Sequence, residues 1–313
     1  MSATAGAHAV SSAELYTGQG YQFGRFEARI QFAPGDGVVS SFFLWKDGSE
    51  KAGTFWNELD FEKLGADCHL TTNAFYGNPA SNNNKAATLS ASLCDQFHTY
   101  TYEWTPDYIS WLVDGVEVRR ETGDVAAAFA QNTAAGMQIR FNVWPGDASF
   151  GGNFDPAILP VYEYVNWVQY SAYNNGAFEF KWRQDFSGTT VPTGWLTGNW
   201  GSPKNLSTHS PKNVGFANGN VVLALTADTA LGVTGASAVD TTDPSPSTGG
   251  ASSTDAGSTS STGGQTSTST STSAATADDG GGCSVSRSSK PTGAALGLGL
   301  ILGVLSLARR RRR

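Results

Sequence analysis

The stretch TFWNELDFEKLG, residues 54–65, places Glu58, Asp60 and Glu62 at every second position. Successive side chains of a β-strand point to opposite faces, so the three carboxylates share one face. The leucine and phenylalanine between them share the other, which predicts a strand packed on an apolar core. Like charges repel, so a strand that served stability alone would not gather three of them. The trio therefore indicates a reactive site that faces solvent or a cleft.

The same alternation continues on both sides of this stretch as far as about residue 226. Short runs rich in β-branched and aromatic residues are bounded by Gly, Pro, Asn and Asp. Examples are RFEARIQF, TYTYEW, YISWLV, MQIRFNVW, YEYVNWVQY, FEFKW and NVVLAL. Asp114-Gly115 predicts a hairpin turn, and one short helical turn is expected from Asp124. Many short strands separated by turns predict an all-β fold, a two-sheet antiparallel β-sandwich.

The composition limits the class of ligand. Charged residues make up 15% of the chain and aromatic residues 12%. This balance is typical of a β-rich domain that binds uncharged, hydroxyl-bearing molecules. The formal net charge is −7, which argues against a nucleic-acid partner because such partners need a basic surface.

Three cysteines are present: Cys68, Cys94 and Cys283. They form no C-x-x-C pair, so neither a structural zinc site nor a thioredoxin-like motif is indicated. Cys68 and Cys94 form a disulfide if the protein is exported, or remain two buried thiols. The sequence leaves both alternatives open because it does not give the separation of the Cα atoms.

The last third of the chain differs from the rest. Residues 227–282 are almost wholly Ser, Thr, Gly, Ala and Asp, which predicts a disordered linker because they bury too little apolar surface to offset the entropy of ordering. Residues 283–313 hold a Gly-Cys element, an apolar segment at 293–308 and five arginines. The apolar segment predicts a transmembrane helix of about 24 Å with a cytoplasmic basic end.

This C-terminal tail resembles the myxobacterial-type sorting signal. The resemblance implies contact with the membrane and the sorting machinery, and a secreted protein anchored at the cell surface or outer membrane. No intact signal peptide is visible, although the start MSATAGAHAV contains an Ala-x-Ala element at Ala7 and Ala9. We therefore expect residues 1–10 to be the remnant of a signal peptide whose start codon lies further upstream.

The spacing of the acidic trio suits paired-carboxylate chemistry. Glu58 and Glu62 have Cα atoms about 13 Å apart in a strand, and side chains that lean together bring the carboxyl groups within about 5–6 Å, the separation used by retaining glycosidases. Asp60 lies between them and penalises the ionisation of both, so at least one proton is expected to remain near neutral pH. Spacing alone fits a solvated acidic face or a calcium site equally well.

The context of the trio resembles the signature of glycoside hydrolase family 16, E-[ILV]-D-x-E, with no extra residue before the second Glu. Further segments match in order: GRFEARIQF, GVVSSFFLW, FHTYTYEWTPDYISWLVDGVEV, IRFNVWPGD and YEYVNWVQY. The resemblance implies a jelly-roll, concanavalin-like catalytic domain over residues 1–226. In that family the five-residue motif marks the lichenase and xyloglucan-active branch, and laminarinases mostly carry a bulged six-residue form.

One segment is out of the usual order. FEFKWRQDF…GNW…KNVGFANGNVVLAL resembles the opening of ordinary family members but comes last here. The chain begins instead at SSAELYTGQGYQFGRFEAR, which is internal in the usual order. The arrangement resembles the naturally circularly permuted bacterial 1,3-1,4-β-glucanases. Permutation is tolerated when the native termini lie close together at the surface.

The resemblance also implies roles for individual residues. Glu58 would be the nucleophile, Glu62 the general acid/base, and Asp60 would hold and tune the pair. The implied sugar-contacting positions are Glu14, Phe43, Trp45, Trp56, Asn73, Arg140, Asn142, Trp144, Trp200 and Asn205. A structural Ca²⁺ on the convex side is implied as well, with Asn166, Asp185 and Gly219 supplying oxygen ligands.

These features predict a monomeric retaining endo-glycoside hydrolase that cleaves mixed-linkage β-1,3-1,4-glucan (lichenan) by double displacement, through a covalent glycosyl-enzyme on Glu58. One alternative keeps the mechanism and changes the polymer to laminarin or xyloglucan. Another is a non-catalytic glycan-binding protein at the cell surface, because jelly-roll sandwiches also serve as lectins. The three clustered carboxylates argue against this last reading, since a lectin does not need them.

Overall fold

The computed structural model describes residues 8–87 and 92–242. Within them the chain forms seventeen strands, one α-helix and three short 3₁₀ helices. The strands are β1 (Val10–Thr17), β2 (Gly24–Gln31), β3 (Val38–Trp45), β4 (Trp56–Leu64), β5 (His69–Gly77), β6 (Ala80–Asn82), β7 (Lys85–Ala87), β8 (His98–Trp104), β9 (Tyr108–Val113), β10 (Val116–Thr122), β11 (Gln138–Pro145), β12 (Val161–Asn174), β13 (Ala177–Gln184), β14 (Trp195–Thr197), β15 (Thr208–His209), β16 (Val214–Ala217) and β17 (Asn220–Ala227). The α-helix, α1, is Asp124–Asn132, and the 3₁₀ helices are Pro156–Ile158, Pro203–Asn205 and Pro211–Asn213.

Helix α1 is longer than the single turn expected from Asp124. It runs for nine residues through an alanine-rich segment and buries Phe129 completely. Alanine has the highest helix propensity, and the buried phenylalanine fastens the helix to the core. Gly123, with a φ of 60°, turns the chain from β10 into the helix, and this left-handed conformation favours glycine.

The strands form two antiparallel sheets. The front sheet, which contains the acidic strand β4, has the order β14-β1-β11-β3-β4-β5, and the short strands β6 and β7 pair with β5. The back sheet has the order β10-β9-β8-β2-β12, followed by β13 and β17 on the other edge of β12 and by β16. Strands β1 and β17 pair at Val10 and Ala227 and join the two sheets at one end. The predicted all-β antiparallel sandwich is confirmed.

The core lies between the inner faces of the two sheets. On β4, Leu59 and Phe61 are fully buried. The ring of Phe61 lies 4.7 Å from that of Tyr102 on β8. The Tyr102 hydroxyl donates to Phe42 O at 2.7 Å and lies 3.1 Å from Leu59 O. The aromatic layer therefore supports β3 and β4 from within, and close packing leaves the acidic strand little freedom to shift.

Cys68 and Cys94 form a disulfide, with their Cα atoms 6.0 Å apart. The bond joins the turn before β5 to the segment before β8, and both cysteines are buried. Of the two alternatives left open by the sequence, the structure has the bonded one. Linking positions 26 residues apart restricts the unfolded chain and so favours the folded state.

The folded domain extends beyond the boundary predicted near residue 226. Residues 228–242, here called the C-terminal strap, contact β2, β12 and β17 of the back sheet. Arg29 Nε donates to Asp240 Oδ2 at 2.8 Å, and Arg29 Nη2 donates to Asp240 Oδ1 at 3.3 Å. Both side chains are almost completely buried. The strap is therefore part of the domain.

The strap contains few large apolar residues, which is why its composition predicts a linker. Its order comes from hydrogen bonds to the backbone and from the buried ion pair. Thr234 O accepts from the Tyr162 hydroxyl at 2.5 Å, and Ala238 O accepts from Asn220 Nδ2 at 3.1 Å. The prediction of disorder is thus wrong for residues 228–242.

No helix within residues 8–87 and 92–242 is long and apolar enough to cross a membrane. The segment 293–308, for which a transmembrane helix is predicted, lies outside the described residues. The same is true of residues 1–7 and of the linker from residue 243 onwards. What the sequence predicts for these segments stays a prediction.

Asp240→Ala should lower the free energy of unfolding by about 3 kcal/mol, because it leaves the buried Arg29 guanidinium without its bidentate partner. The corresponding fall in Tm is roughly 6–12 °C. Calorimetry of the full chain measures it, with Asp107→Ala as the control because Asp107 is exposed.

A chain that ends at residue 227 should also melt at a lower temperature than one that ends at residue 242. Equal melting temperatures for these two chains would show that the C-terminal strap contributes nothing to the stability of the domain.

Candidate active site

Strand β4 lies between β3 and β5, and its pairing is continuous through the acidic positions. Residues 58–63 face residues 45–40 of β3 one by one, with no bulge. Glu58, Asp60 and Glu62 therefore lie in a row on the outer face of the front sheet, opposite the core. The five-residue motif forms a straight strand, as the sequence predicts.

The strand register places most of the predicted sugar-contacting side chains in three rows across this outer face. Residues in a row lie opposite one another on neighbouring strands. The rows are Phe75, Glu58, Trp45 and Gln138; Asn73, Asp60, Phe43, Arg140 and Tyr16; and Thr71, Glu62, Ser41, Asn142 and Glu14. Five strands thus contribute to one continuous surface.

Glu58 is held by a tryptophan beside it. The indole Nε1 of Trp56 donates to Glu58 Oε2 at 2.7 Å. Burial raises the pKa of Glu58 to about 7, while the Trp56 bond and the nearby Arg140 guanidinium favour the ionised form. The Trp56 ring packs edge-on against Trp45 and Phe75, 4.9 Å from each. This carboxyl group is therefore fixed in place, and its ionised form is favoured by both an indole donor and a nearby cation.

The pKa values of Asp60 and Glu62 are raised as well. Burial, followed by repulsion from Glu58 and Glu62, raises the pKa of Asp60 well above its usual range, and a hydrogen bond from Asn73 acts against this rise. Burial, followed by repulsion from Glu58, raises the pKa of Glu62 to about 8. The trio therefore keeps at least one proton near neutral pH, in agreement with the sequence prediction.

Glu14 and Arg140 lie beside the trio as a buried ion pair. Arg140 Nη1 donates to Glu14 Oε1 at 2.5 Å. The guanidinium carbon lies 4.4 Å from the centre of the Tyr16 ring and 5.7 Å from that of Trp45. The Trp200 side chain hydrogen-bonds to Glu14, and 40% of its surface stays exposed. Three of the predicted sugar-contacting residues thus lie together: Glu14 on β1, Arg140 on β11 and Trp200 in the loop after β14.

The remaining predicted contacts differ in how accessible they are. Asn142 is buried, and its Oδ1 has no hydrogen-bond partner within the described residues, which leaves an acceptor on the outer face. Trp144 is only 4% exposed because the Phe150 ring stacks on it, with ring centres 5.9 Å apart. The sugar contact predicted for Trp144 stays a prediction. Asn205 is exposed, and its backbone N–H bonds to Ser202 O within its own loop.

Two of the three predicted calcium positions, Asn166 and Gly219, are hydrogen-bonded to each other. Asn166 Nδ2 donates to Gly219 O at 3.3 Å and to Asn220 Oδ1 at 3.1 Å. A nitrogen therefore lies where a cation would need an oxygen. Asp185 is exposed and accepts from Arg183 Nε. Turning the Asn166 amide over would present its oxygen, so the donor types fit calcium, and the site stays a prediction.

The structure adds three residues that the sequence analysis did not single out: Tyr16, Gln138 and His209. Tyr16 and Gln138 lie two positions from Glu14 and Arg140 on the same strand faces, so the period-two alternation could have found them. Gln138 Oε1 accepts from Arg140 Nε at 3.1 Å. His209 Nε2 lies 3.4 Å from Glu14 Oε2, and no local pattern connects positions so far apart in the chain.

Comparison with known proteins agrees with this arrangement. The family model described as glycosyl hydrolases family 16 matches residues 2–186. A β-glucanase of Fibrobacter succinogenes is 36% identical over 227 residues, which cover 69% of this chain and 64% of the relative. A β-glucanase of Brevibacillus brevis is 32% identical over 174 residues, covering 55% and 64%. The chain thus spans slightly less than two thirds of the length of both relatives. A solved Bacillus licheniformis β-glucanase matches with a TM-score of 0.42 and 28% identity, over 51% of this chain and 77% of that one.

The raised pKa values make the stability of the domain depend on pH. Between the ordinary value of 4.5 and the folded values of about 7 for Glu58 and about 8 for Glu62, the folded state binds more protons than the unfolded state. The free energy of unfolding therefore falls as pH rises through this window. Glu62→Gln removes one of these ionisations and should raise Tm at pH 8 while changing it little at pH 4. Thermal melts across this range measure the effect, with the exposed Glu50→Gln as the control. An equal change in Tm at both pH values would contradict the raised pKa.

Proposed function

The chain belongs to glycosyl hydrolases family 16, and on that basis we propose that it is a retaining endo-β-glucanase that hydrolyses mixed-linkage β-1,3-1,4-glucan. The observation that carries the proposal is the row of Glu58, Asp60 and Glu62 on an unbroken strand. The Trp56 indole and the Arg140 cation favour the ionised form of the first carboxyl group, whereas burial and repulsion from Glu58 favour a proton on the last. Double displacement needs a nucleophile and a general acid together, and unequal environments let two carboxyl groups divide these roles.

In the first step Glu58 attacks the anomeric carbon of the sugar. Its oxygen forms an ester bond to that carbon while the bond to the leaving oxygen breaks, and Glu62 gives its proton to the leaving oxygen. The Trp56 N–H and the charge of Arg140 favour the ionised nucleophile. Burial and the negative charge of Glu58 keep the proton on Glu62 until it is needed.

In the second step Glu62 acts as a base. The ester consumes the charge of Glu58, so the repulsion that raises the pKa of Glu62 disappears. The Glu62 carboxylate then takes a proton from a water molecule whose oxygen bonds to the anomeric carbon, and Glu58 leaves as a carboxylate. Two displacements at the same carbon retain its configuration.

Asp60 supports the nucleophile between the two reacting groups. Burial and repulsion from Glu58 and Glu62 favour a proton on this carboxyl group, and its side chain hydrogen-bonds to Glu58. The Asp60 O–H therefore donates to the Glu58 carboxylate and adds to the bond from Trp56. Asn73, opposite Asp60 on β5, fixes the orientation of this middle group.

A neutral polysaccharide suits the composition of the outer face. Trp45 and Trp200 offer aromatic surfaces of the kind that stack on the apolar faces of sugar rings, and the Asn142 oxygen offers a free acceptor for a hydroxyl group. The straight five-residue motif favours mixed-linkage glucan over laminarin. Both curated relatives described above are named β-glucanases, which supports a β-glucan as the substrate.

A non-catalytic glycan-binding protein is the second candidate, and the sandwich fold alone permits it. The electrostatics disfavour it. Burial raises the pKa of all three carboxyl groups, and repulsion from neighbours within the trio adds to it for Asp60 and Glu62, so the folded domain holds them at a loss of stability. Such a loss is typical of a catalytic site and has no use in a lectin.

Circular permutation stays a prediction that two features support. The family match ends at residue 186, whereas strands β14 to β17 lie beyond it and complete the sandwich. Ala9 O accepts from the N–H of Asp228 at 3.0 Å, so the first and last strands meet where an unpermuted chain would run continuously. The Cys68–Cys94 disulfide supports export to an oxidising compartment. Anchoring through residues 283–313 and the monomeric state stay predictions.

Glu58→Ala should lower kcat on mixed-linkage glucan by more than about 10³-fold, because no nucleophile remains. Glu62→Ala should lower it by about 10²–10⁴-fold, and azide should restore the rate on an activated aryl glycoside by attacking the glycosyl-enzyme. Reducing-sugar assays and NMR of the first-formed anomer are the measurements. A β-glycosyl azide from Glu62→Ala and a β-configured product from the wild type are expected. Wild-type activity in Glu58→Ala would disprove the role of Glu58.

Mixed-linkage glucan should release reducing sugar faster than laminarin, because β4 lacks the bulge associated with laminarinases. Xyloglucan is compared as well, because the five-residue motif also marks the xyloglucan-active branch. Initial rates at equal polymer mass, together with chromatography of the oligosaccharides, measure the preference. Glu58→Ala prepared in parallel corrects for contaminating hydrolases. Faster hydrolysis of laminarin or xyloglucan would keep the mechanism and reject the proposed polymer.

A further inference from the structure

His209 is a buried histidine beside the outer face of the front sheet that the proposed mechanism does not use. It belongs to β15, which runs parallel to β1 and places His209 opposite Ser12. Its side chain is 2% exposed, so it does not touch a polysaccharide. Its Nδ1 lies 2.9 Å from Ser12 Oγ, and its Nε2 lies 3.4 Å from Glu14 Oε2.

The surroundings determine which ring nitrogen carries the proton. Burial, followed by the charge of Arg140, lowers the pKa of His209 to about 3, so the ring is neutral near pH 7 and has one N–H. Burial raises the pKa of Glu14, while the Arg140 and Trp200 side chains favour its ionised form. A lone pair on Nε2 would be repelled by the ionised Glu14 carboxylate, whereas an N–H is attracted to it. Ser207 Oγ donates to Ser12 Oγ at 2.8 Å, which leaves the Ser12 proton available for Nδ1. Both neighbours therefore favour the Nε2–H tautomer.

Glu14 connects this ring to the positive charge next to the trio. Its Oε1 accepts from Arg140 Nη1 at 2.5 Å while its Oε2 faces His209. Gln138 Oε1 accepts from Arg140 Nε at 3.1 Å. The guanidinium is thus held by two acceptors, and one of them, Glu14, also hydrogen-bonds to the Trp200 side chain and faces the histidine. Arg140 is also the cation that favours ionisation of Glu58.

We propose that His209 is a positioning residue: its Nε2–H orients Glu14, and Glu14 in turn holds Arg140 beside the carboxylate trio. The kinetic consequence rests on the proposed glucanase function, whereas the tautomer does not. Within the described residues, His209 Nε2 makes no hydrogen bond at this separation of 3.4 Å, so the contact orients the carboxylate through electrostatic attraction alone. Loss of the N–H lets Glu14 turn and Arg140 move with it, which weakens the support of Glu58.

The first test observes the ring directly. Long-range ¹H–¹⁵N NMR of the labelled full chain distinguishes Nε2–H from Nδ1–H, and His209→Gln identifies the His209 signals by their loss. We expect a neutral ring with the proton on Nε2 from pH 5 to pH 8. A proton on Nδ1, or a ring that titrates within this range, would overturn the proposal.

The second test is kinetic. His209→Leu removes the donor and should lower kcat/KM on mixed-linkage glucan about tenfold. His209→Gln keeps an N–H near the position of Nε2 and should recover most of this loss. His69→Leu changes an exposed histidine and should match the wild type.

Melting temperatures of the three variants separate positioning from folding. The proposal requires the glutamine and leucine variants to differ in kcat/KM at similar Tm. An equal loss of kcat/KM in both, or wild-type kinetics in His209→Leu, would refute it. A wild-type chain that hydrolyses no β-glucan would instead defeat the proposed function, and the NMR test would still decide the tautomer.

Discussion

Three carboxyl groups are held on one strand face by the backbone, and they relieve their mutual repulsion by keeping protons. Strand geometry sets their spacing, and burial removes the water that would otherwise screen them. Asp60 lies in the middle, is 5% exposed, and has its pKa raised by burial and by repulsion from both neighbours. The pKa of Glu62 is raised by burial and by repulsion from Glu58. An indole donor and the Arg140 cation favour the ionised form of Glu58, whereas Asn73 and the Arg119 cation favour the ionised form of Asp60. One strand thus carries three chemically equivalent groups in three different protonation environments.

Such an arrangement requires a strand that does not shift. A slip by one residue would turn the acids of β4 into the core and its apolar residues outward. The inner face opposes this slip, because Leu59 and Phe61 are fully buried and Tyr102 bonds to the backbone beneath them. Burying three carboxyl groups against that aromatic layer would be very unfavourable. The same alternation that creates the reactive face therefore also protects its register.

What the sequence predicts well depends on neighbouring residues. Alternation within single strands predicts the sandwich, the straight acidic motif and the face that each side chain occupies. What it predicts poorly depends on contacts between distant segments. The bond between Arg29 and Asp240 joins positions 211 residues apart and orders a segment whose composition indicates disorder. Composition also does not reveal which aromatic ring is covered, as Trp144 is by Phe150. The contact of His209 with Glu14 also joins distant segments of the chain.

The nearest cation in the sequence shows why protons, and not salt bridges, neutralise the trio. Lys63 follows Glu62 directly, yet strand alternation turns it to the other face, where its Nζ donates to Gly35 O and Val38 O at 3.0 and 3.1 Å. A cation beside Glu62 would stabilise the carboxylate and lower its pKa. That change would remove the proton that the proposed first step requires.

Arg140 shows the opposite placement of positive charge. Its effect falls on Glu58, where an ionised group is needed, and its ion pair with Glu14 keeps it there. Burial alone would raise the pKa of both glutamates in the same direction, so burial does not divide their roles. The division follows from where the positive charge and the indole donor lie, which makes the residues around Glu58 as important to the chemistry as the acids themselves.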